Sequence, residues 1–123
     1  MNSNELNDRT KSFAHRCVKL AMLLPENSLG KVIQYQLVKS STSIAANYRA
    51  TCVAQSKSSF IAKMSIVIEE TDETAFWLEI LVEEKIFTMD KIGLLLKEVQ
   101  ELIAIFVASR KTANSKKPIV NKK

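Results

Sequence analysis

The chain has 123 residues, 46% of them hydrophobic, with only two glycines, two prolines and two cysteines. This is enough for one domain with a real core, and too few cysteines for a disulfide framework. Its net charge of +5 is unevenly spread: residues 1–68 carry nine basic against three acidic side chains, 69–101 ten acidic against three basic, and 102–123 six basic and no acidic.

Taken in order, the spacing predicts four helices. Residues 1–8 are polar and read as frayed. A first helix is predicted from Asp8–Thr10, where Asp8 or Thr10 can cap, to Leu24, with Phe13, Cys17, Leu20 and Leu24 as its buried stripe and Ala14 and Ala21 beside it. Pro25 stops it and Glu26–Ser28 turn the chain. A second helix, capped by Asn27 or Ser28, runs to about Val53, with Gly30 a mild weakness near its start. Its apolar phase is Val32 or Ile33, Leu37, Ser41, Ile44, Tyr48 and Cys52. The middle of this helix, Lys39 to Asn47, holds one large apolar residue among small ones. Small side chains suit a place where another backbone comes close, whether from the same chain or another subunit.

The third helix, capped by Ser56 or Ser58, carries the stretch Phe60 to Glu84 that organises the rest. Phe60, Met64, Val67, Thr71, Ala75, Leu78 and Leu81 or Val82 recur by three or four, and Ile66, Phe76, Trp77 and Ile80 extend the apolar surface round it. A helix apolar on several sides needs several neighbours. After a joint at 85–88, Thr88 caps a fourth helix whose stripe is Ile92, Leu95 or Leu96, Val99, Leu102 or Ile103, and Phe106. It ends near Arg110–Thr112. The expected organisation is a bundle domain over 1–112 and a basic, disordered tail over 113–123. Short joints make the helices antiparallel neighbours, so the fold class is all-α, an up-down-up-down four-helix bundle.

Catalytic and metal chemistry find little support. The carboxylates Glu69, Glu70, Asp72 and Glu73 lack the Glu-x-x-His pairs of bundle di-metal sites, and ion pairs with the first two helices explain them better. The single histidine, His15, has Lys11 and Lys19 four residues away on either side, a poor setting for a general base. Gly30 and Gly93 stand alone, so there is no phosphate-binding loop. The expectation is a non-enzyme with no cofactor, metal or small-molecule substrate. No apolar run approaches the ~18 residues of a membrane span and the amino terminus lacks a secretory core, so the expected location is the cytoplasm, with Cys17 and Cys52 as buried, reduced thiols.

What remains is binding. Arg9, Lys11, Arg16, Lys19, Arg49, Lys57, Arg110 and Lys111 are the candidate contacts to nucleic-acid phosphates, RNA or DNA. Charged, solvated helix faces give the same composition. Asn47 and Arg49 either line a contact surface, or Asn47 bonds across the bundle while Arg49 pairs with Glu70 or Glu73. Ala45, Ala46 and Trp77 are the candidate oligomer interface, and Trp77 is equally a core residue by its spacing.

Three stretches carry a resemblance: Ser41–Ala50 (STSIAANYRA), Ser56–Ile61 (SKSSFI) and Ile68–Glu79 (IEETDETAFWLE). They resemble the bacterial four helix bundle protein family, whose founding members are encoded by intervening sequences in large-subunit ribosomal RNA genes and are sometimes labelled ribosomal proteins. The resemblance covers about residues 9–110. Its most specific pieces are Ser43-Ile44-x-x-Asn47 and Phe60-Ile61. Many members continue after that Asn with Ile-Ala-Glu-Gly, whereas this chain has Tyr48-Arg49-Ala50-Thr51, so no role of that Glu carries over. The resemblance implies an antiparallel bundle, assembly into a pentameric ring and no enzymatic activity. It also points to nucleic-acid association, since a related bundle serves retroelements by binding reverse transcriptase and nucleic acid. The leading expectation is an oligomeric RNA-associated binding or assembly protein; the alternative is a protein–protein scaffold that binds no nucleic acid.

Overall fold

The computed structural model describes residues 1–115, which form four helices: α1 (Ser3–Ala21), α2 (Ser28–Thr51), α3 (Lys57–Glu83) and α4 (Met89–Ser115). Successive helices pack side by side in an antiparallel bundle, while among neighbouring pairs α1 and α4 approach each other least. One core runs through it. Phe13, Cys17, Ile33, Leu37, Ile44, Val67, Leu78, Leu81, Ile92, Val99, Leu102 and Phe106 are all fully buried. Each large apolar side chain so buried contributes roughly 1.5–3 kcal/mol relative to exposure. The alternatives left open in the stripes resolve to Ile33, Leu81, Leu95 and Leu102, with Val32 half exposed.

Local chemistry sets the helix ends, and three of them depart from expectation. The start of α1 is ordered rather than frayed: the Asn2 side chain accepts from the Glu5 amide at 2.8 Å and Glu5 Oε1 accepts from the Asn2 amide at 2.9 Å. This reciprocal capping box satisfies two amides that otherwise lack helical partners, and it brings Leu6 into the core. At its other end α1 stops at Ala21, and Gln34 of α2 donates to the Ala21 carbonyl at 2.9 Å. The far end of α4 continues to Ser115, past the Arg110–Thr112 stop. The tail expected over 113–123 lies, from residue 116 on, outside the described residues.

Gly30 is a requirement rather than a weakness. A Cβ built there would fall on the Pro25 carbonyl oxygen, so the turn closes against α2 only because position 30 has no side chain. The α3–α4 turn uses a left-handed residue, Lys85 (φ 59°), after the Glu84 cap. The Ile86 amide reaches back to the Leu81 carbonyl and the Lys85 amide to Val82, both at 3.0 Å, which closes the last turn of α3 in a Schellman motif.

α2 and α3 meet through hydroxyls as well as hydrocarbon. The Thr74 hydroxyl donates to Ser40 Oγ at 2.8 Å, and both residues are buried. The small residues of α2 therefore do two jobs: Ser40 and Ser41 face inward, while Ala46 is exposed on the other side. Among the described residues no helix is long and apolar enough to cross a membrane.

Candidate functional site

The structure sorts the expected cationic residues into held and available ones. Arg9 is held. Its Nε and Nη2 donate to the two Glu98 oxygens at 2.7 and 2.9 Å, and Nη2 also reaches Glu101 at 2.6 Å. These bonds, that to Glu98 above all, raise the guanidinium above its ordinary value, and they bridge α1 to α4, the two neighbours that pack together least. Arg110 is also engaged: its Nη1 donates to Ser65 Oγ at 3.1 Å, tying α4 to α3. Lys57 opens α3 and Lys111 is exposed on the last turns of α4.

The remaining candidates gather in two grooves. The larger, about 610 Å³, lies between α1 and α2. Its floor is Ala14, Val18, Ala45 and Ala46, and Lys11, His15 and Arg49 stand on its walls with Asp8. Antiparallel pairing brings this set together: Asn7 near the start of α1 donates to Cys52 Sγ at the end of α2, at 3.6 Å, which puts Lys11 and Arg49 at the same end. The smaller groove, about 280 Å³, lies between α1 and α4. Arg16, Lys19 and Lys91 line it with Leu20, Leu23, Leu94 and Leu95. It contains no carboxylate, and Leu23 and Leu94 are 59% and 72% exposed.

Neither sequence reading of Asn47 and Arg49 holds completely. Asn47 does not cross the bundle; its Nδ2 donates to the Ser43 carbonyl of its own helix at 2.9 Å. Arg49 pairs with no acid among the described residues and lines the larger groove. The carboxylates of α3 likewise form no ion pair with the basic side chains of α1 or α2 among the described residues. The ion pairs among the described residues are those of Arg9 with Glu98 and Glu101. Glu70 shows the consequence. Burial and the neighbouring Glu73 raise its carboxyl above the usual value, with Lys39 opposing and Glu69 adding.

α3 presents Ala62, Ile66, Glu69, Asp72, Phe76, Glu79 and Glu83 along one exposed stripe. Ile66 and Phe76 are 43% and 49% exposed. Trp77, expected at an interface or in the core, takes an intermediate place: it packs against the core, meets Phe76 edge to face at 4.9 Å, and its Nε1 donates to Glu73 at 3.3 Å.

The cysteines differ, against the expectation that both are buried. Cys17 is fully buried, and burial pushes its thiol up to about 12, with the Ser41 hydroxyl and Arg16 opposing. Cys52 is exposed, because at the end of α2 the inward position belongs to Thr51. No group of three or more His, Cys, Asp or Glu is placed to hold a metal among the described residues.

Comparison with known proteins adds a family. Residues 2–108 match the model of the 23S rRNA-intervening sequence protein family. A crystal structure from Bacteroides thetaiotaomicron, described as a protein of unknown function from the S23 ribosomal protein family, has 32% sequence identity. The likeness covers 90% of this chain and 99% of that one, with a TM-score of 0.82. No match was found among curated proteins.

Proposed function

Because the chain belongs to the 23S rRNA-intervening sequence protein family, we propose that it is a non-enzymatic, oligomeric, nucleic-acid-associated bundle of the cytoplasm, with RNA as its ligand. The observation that carries this reading is family membership across the whole bundle. The fold supplies a surface that suits it. Arg16, Lys19 and Lys91 converge on a groove without a carboxylate, between the two neighbouring helices that pack together least. Cations on separate helices at one surface can meet successive phosphates of a backbone, and such contacts carry affinity without reading sequence. Arg9 and Arg110, drawn into bonds inside the bundle, act as structural residues in this reading. Association as a ring, with five subunits by family resemblance, would repeat the surface round an axis and multiply its affinity.

Fluorescence anisotropy with a structured fragment of large-subunit ribosomal RNA tests the proposal. Binding is expected at low salt and should weaken steeply as salt rises. No binding at low salt would overturn the RNA reading. A protein partner captured equally well with and without nuclease would then favour a scaffold, for which the exposed Leu23 and Leu94 offer contact area.

A further inference from the structure

The larger groove and the outer stripe of α3 are complementary in polarity and charge, and neither is covered within the described chain. The groove has a floor of Ala14, Val18, Ala45 and Ala46, with Lys11 and Arg49 outnumbering the single carboxylate, Asp8, at one end and His15 along it. The alanines of this floor let a third helix lie close, at the ~8–10 Å spacing of packed helices. The stripe on α3 offers such a helix. Ile66 and Phe76 stand out from it, and Glu69, Asp72, Glu79 and Glu83 flank them without an ion pair among the described residues. Ile66 and Phe76 are ten residues apart, a rise of roughly 15 Å. The groove runs along α1 from Asn7 to Val18, roughly 16 Å by the same rise.

We infer that the groove between α1 and α2 receives the outer stripe of α3 from a second copy of this chain, with Phe76 on the alanine floor and the α3 carboxylates on Lys11 and Arg49. This deepens the oligomeric part of the proposed function and rests on it. The two surfaces belong to different helices, so the contact is head-to-tail. Each subunit keeps one free groove and one free stripe until a ring closes. The charge arrangement also gives direction: two grooves facing each other, or two stripes, would bring like charges together, a contact that costs free energy. The family resemblance gives the number of subunits; the groove and the stripe give the surfaces.

The smaller groove is the competing receptor for the same stripe, since it too is basic and apolar. It lacks the small-residue floor. Its leucines project outward, at 59% and 72% exposure, where a docked helix would need room.

The test is mass by light scattering after gel filtration, at micromolar full-length protein, with circular dichroism confirming that each variant is folded. Wild type is expected to run as an oligomer. The groove reversal K11E/R49E and the stripe reversal E69K/E79K should each weaken association at least tenfold and shift the mass toward the ~14 kDa monomer. The chain carrying all four substitutions should assemble again, because every contact then pairs a reversed groove with a reversed stripe. Phe76→Ala gives a second, uncharged probe and should also loosen the assembly. A wild-type oligomer that survives both reversals and Phe76→Ala unchanged would overturn the inference and leave oligomerisation standing. Loss of assembly in R16E/K19E but not in K11E/R49E would overturn it in favour of the smaller groove. A monomeric wild type would overturn both the inference and the oligomeric reading it rests on.

Discussion

The two seams that flank the bundle core are built differently. Between α2 and α3 the backbones lie close, Ile44 and Leu78 are fully buried, and a hydroxyl pair, Ser40 with Thr74, sits inside. Between α1 and α4 the helices stand apart, the outer contact is an ion pair partly open to water, and a basic groove remains. The contrast teaches that three of the four neighbouring seams are closely packed and the α1–α4 seam is left open, the side to which the proposed function assigns nucleic acid. Small side chains make the first seam: Ser40, Ser41 and Thr74 allow close approach, their hydroxyls find partners within and between the two helices, and no buried polar side-chain atom among the described residues is left unpaired. At the second seam the helices make few close approaches, and Arg9 reaches across to Glu98 and Glu101.

Substitutions should break the two seams by different amounts and with different salt dependence. The largest loss is expected from Leu78→Ala, which removes a fully buried side chain and leaves a cavity. Chemical denaturation should show a cost of about 2–5 kcal/mol, the same at low and high ionic strength in urea. Thr74→Val keeps the volume but leaves Ser40 without its partner, and should cost about 1–3 kcal/mol, again without salt dependence. Arg9→Ala should cost least, about 1 kcal/mol at low salt, and the difference should shrink toward zero near 1 M salt, where screening acts over about 3 Å. A salt-dependent loss at Thr74, or a large salt-independent one at Arg9, would erase the distinction.

Most of the inward surface was legible from the sequence because helical periodicity is a direct consequence of one-sided burial. Phe13, Cys17 and Leu20 on α1, Leu24 just past its end, and the run from Met64 to Leu81 on α3 lie where the spacing puts them. The ends were less legible. Asn2 and Glu5 form a capping box that the spacing of Asn and Glu in a polar leader already contains, and reading those residues as frayed missed it. Gly30 could not be interpreted without knowing that Pro25 folds back onto it, since sequence does not give a through-space distance. The same reason explains the candidate site. Eight cations were nameable, but which were held and which lined a groove depends on helix packing: Arg9 meets Glu98 across 89 residues of chain, and Arg110 meets Ser65 across 45. The mid-α2 run of small residues pointed to close approach. Only the packing shows that it serves two faces, Ser40 toward α3 and Ala45 and Ala46 toward an open groove.

The measurement that tests the central claim most directly is the salt dependence of RNA affinity for wild type and R16A/K19A, with mass followed in parallel. Arg16 and Lys19 lie on the open α1–α4 side and make no ion pair among the described residues, so their removal should leave folding and assembly unchanged. Affinity for a structured ribosomal RNA fragment should fall. The slope of log affinity against log salt should become shallower by roughly 0.7–0.9 for each phosphate that the protein no longer neutralises. Unchanged affinity and an unchanged slope, in a protein that binds RNA at low salt, would contradict the assignment of the α1–α4 groove to nucleic acid.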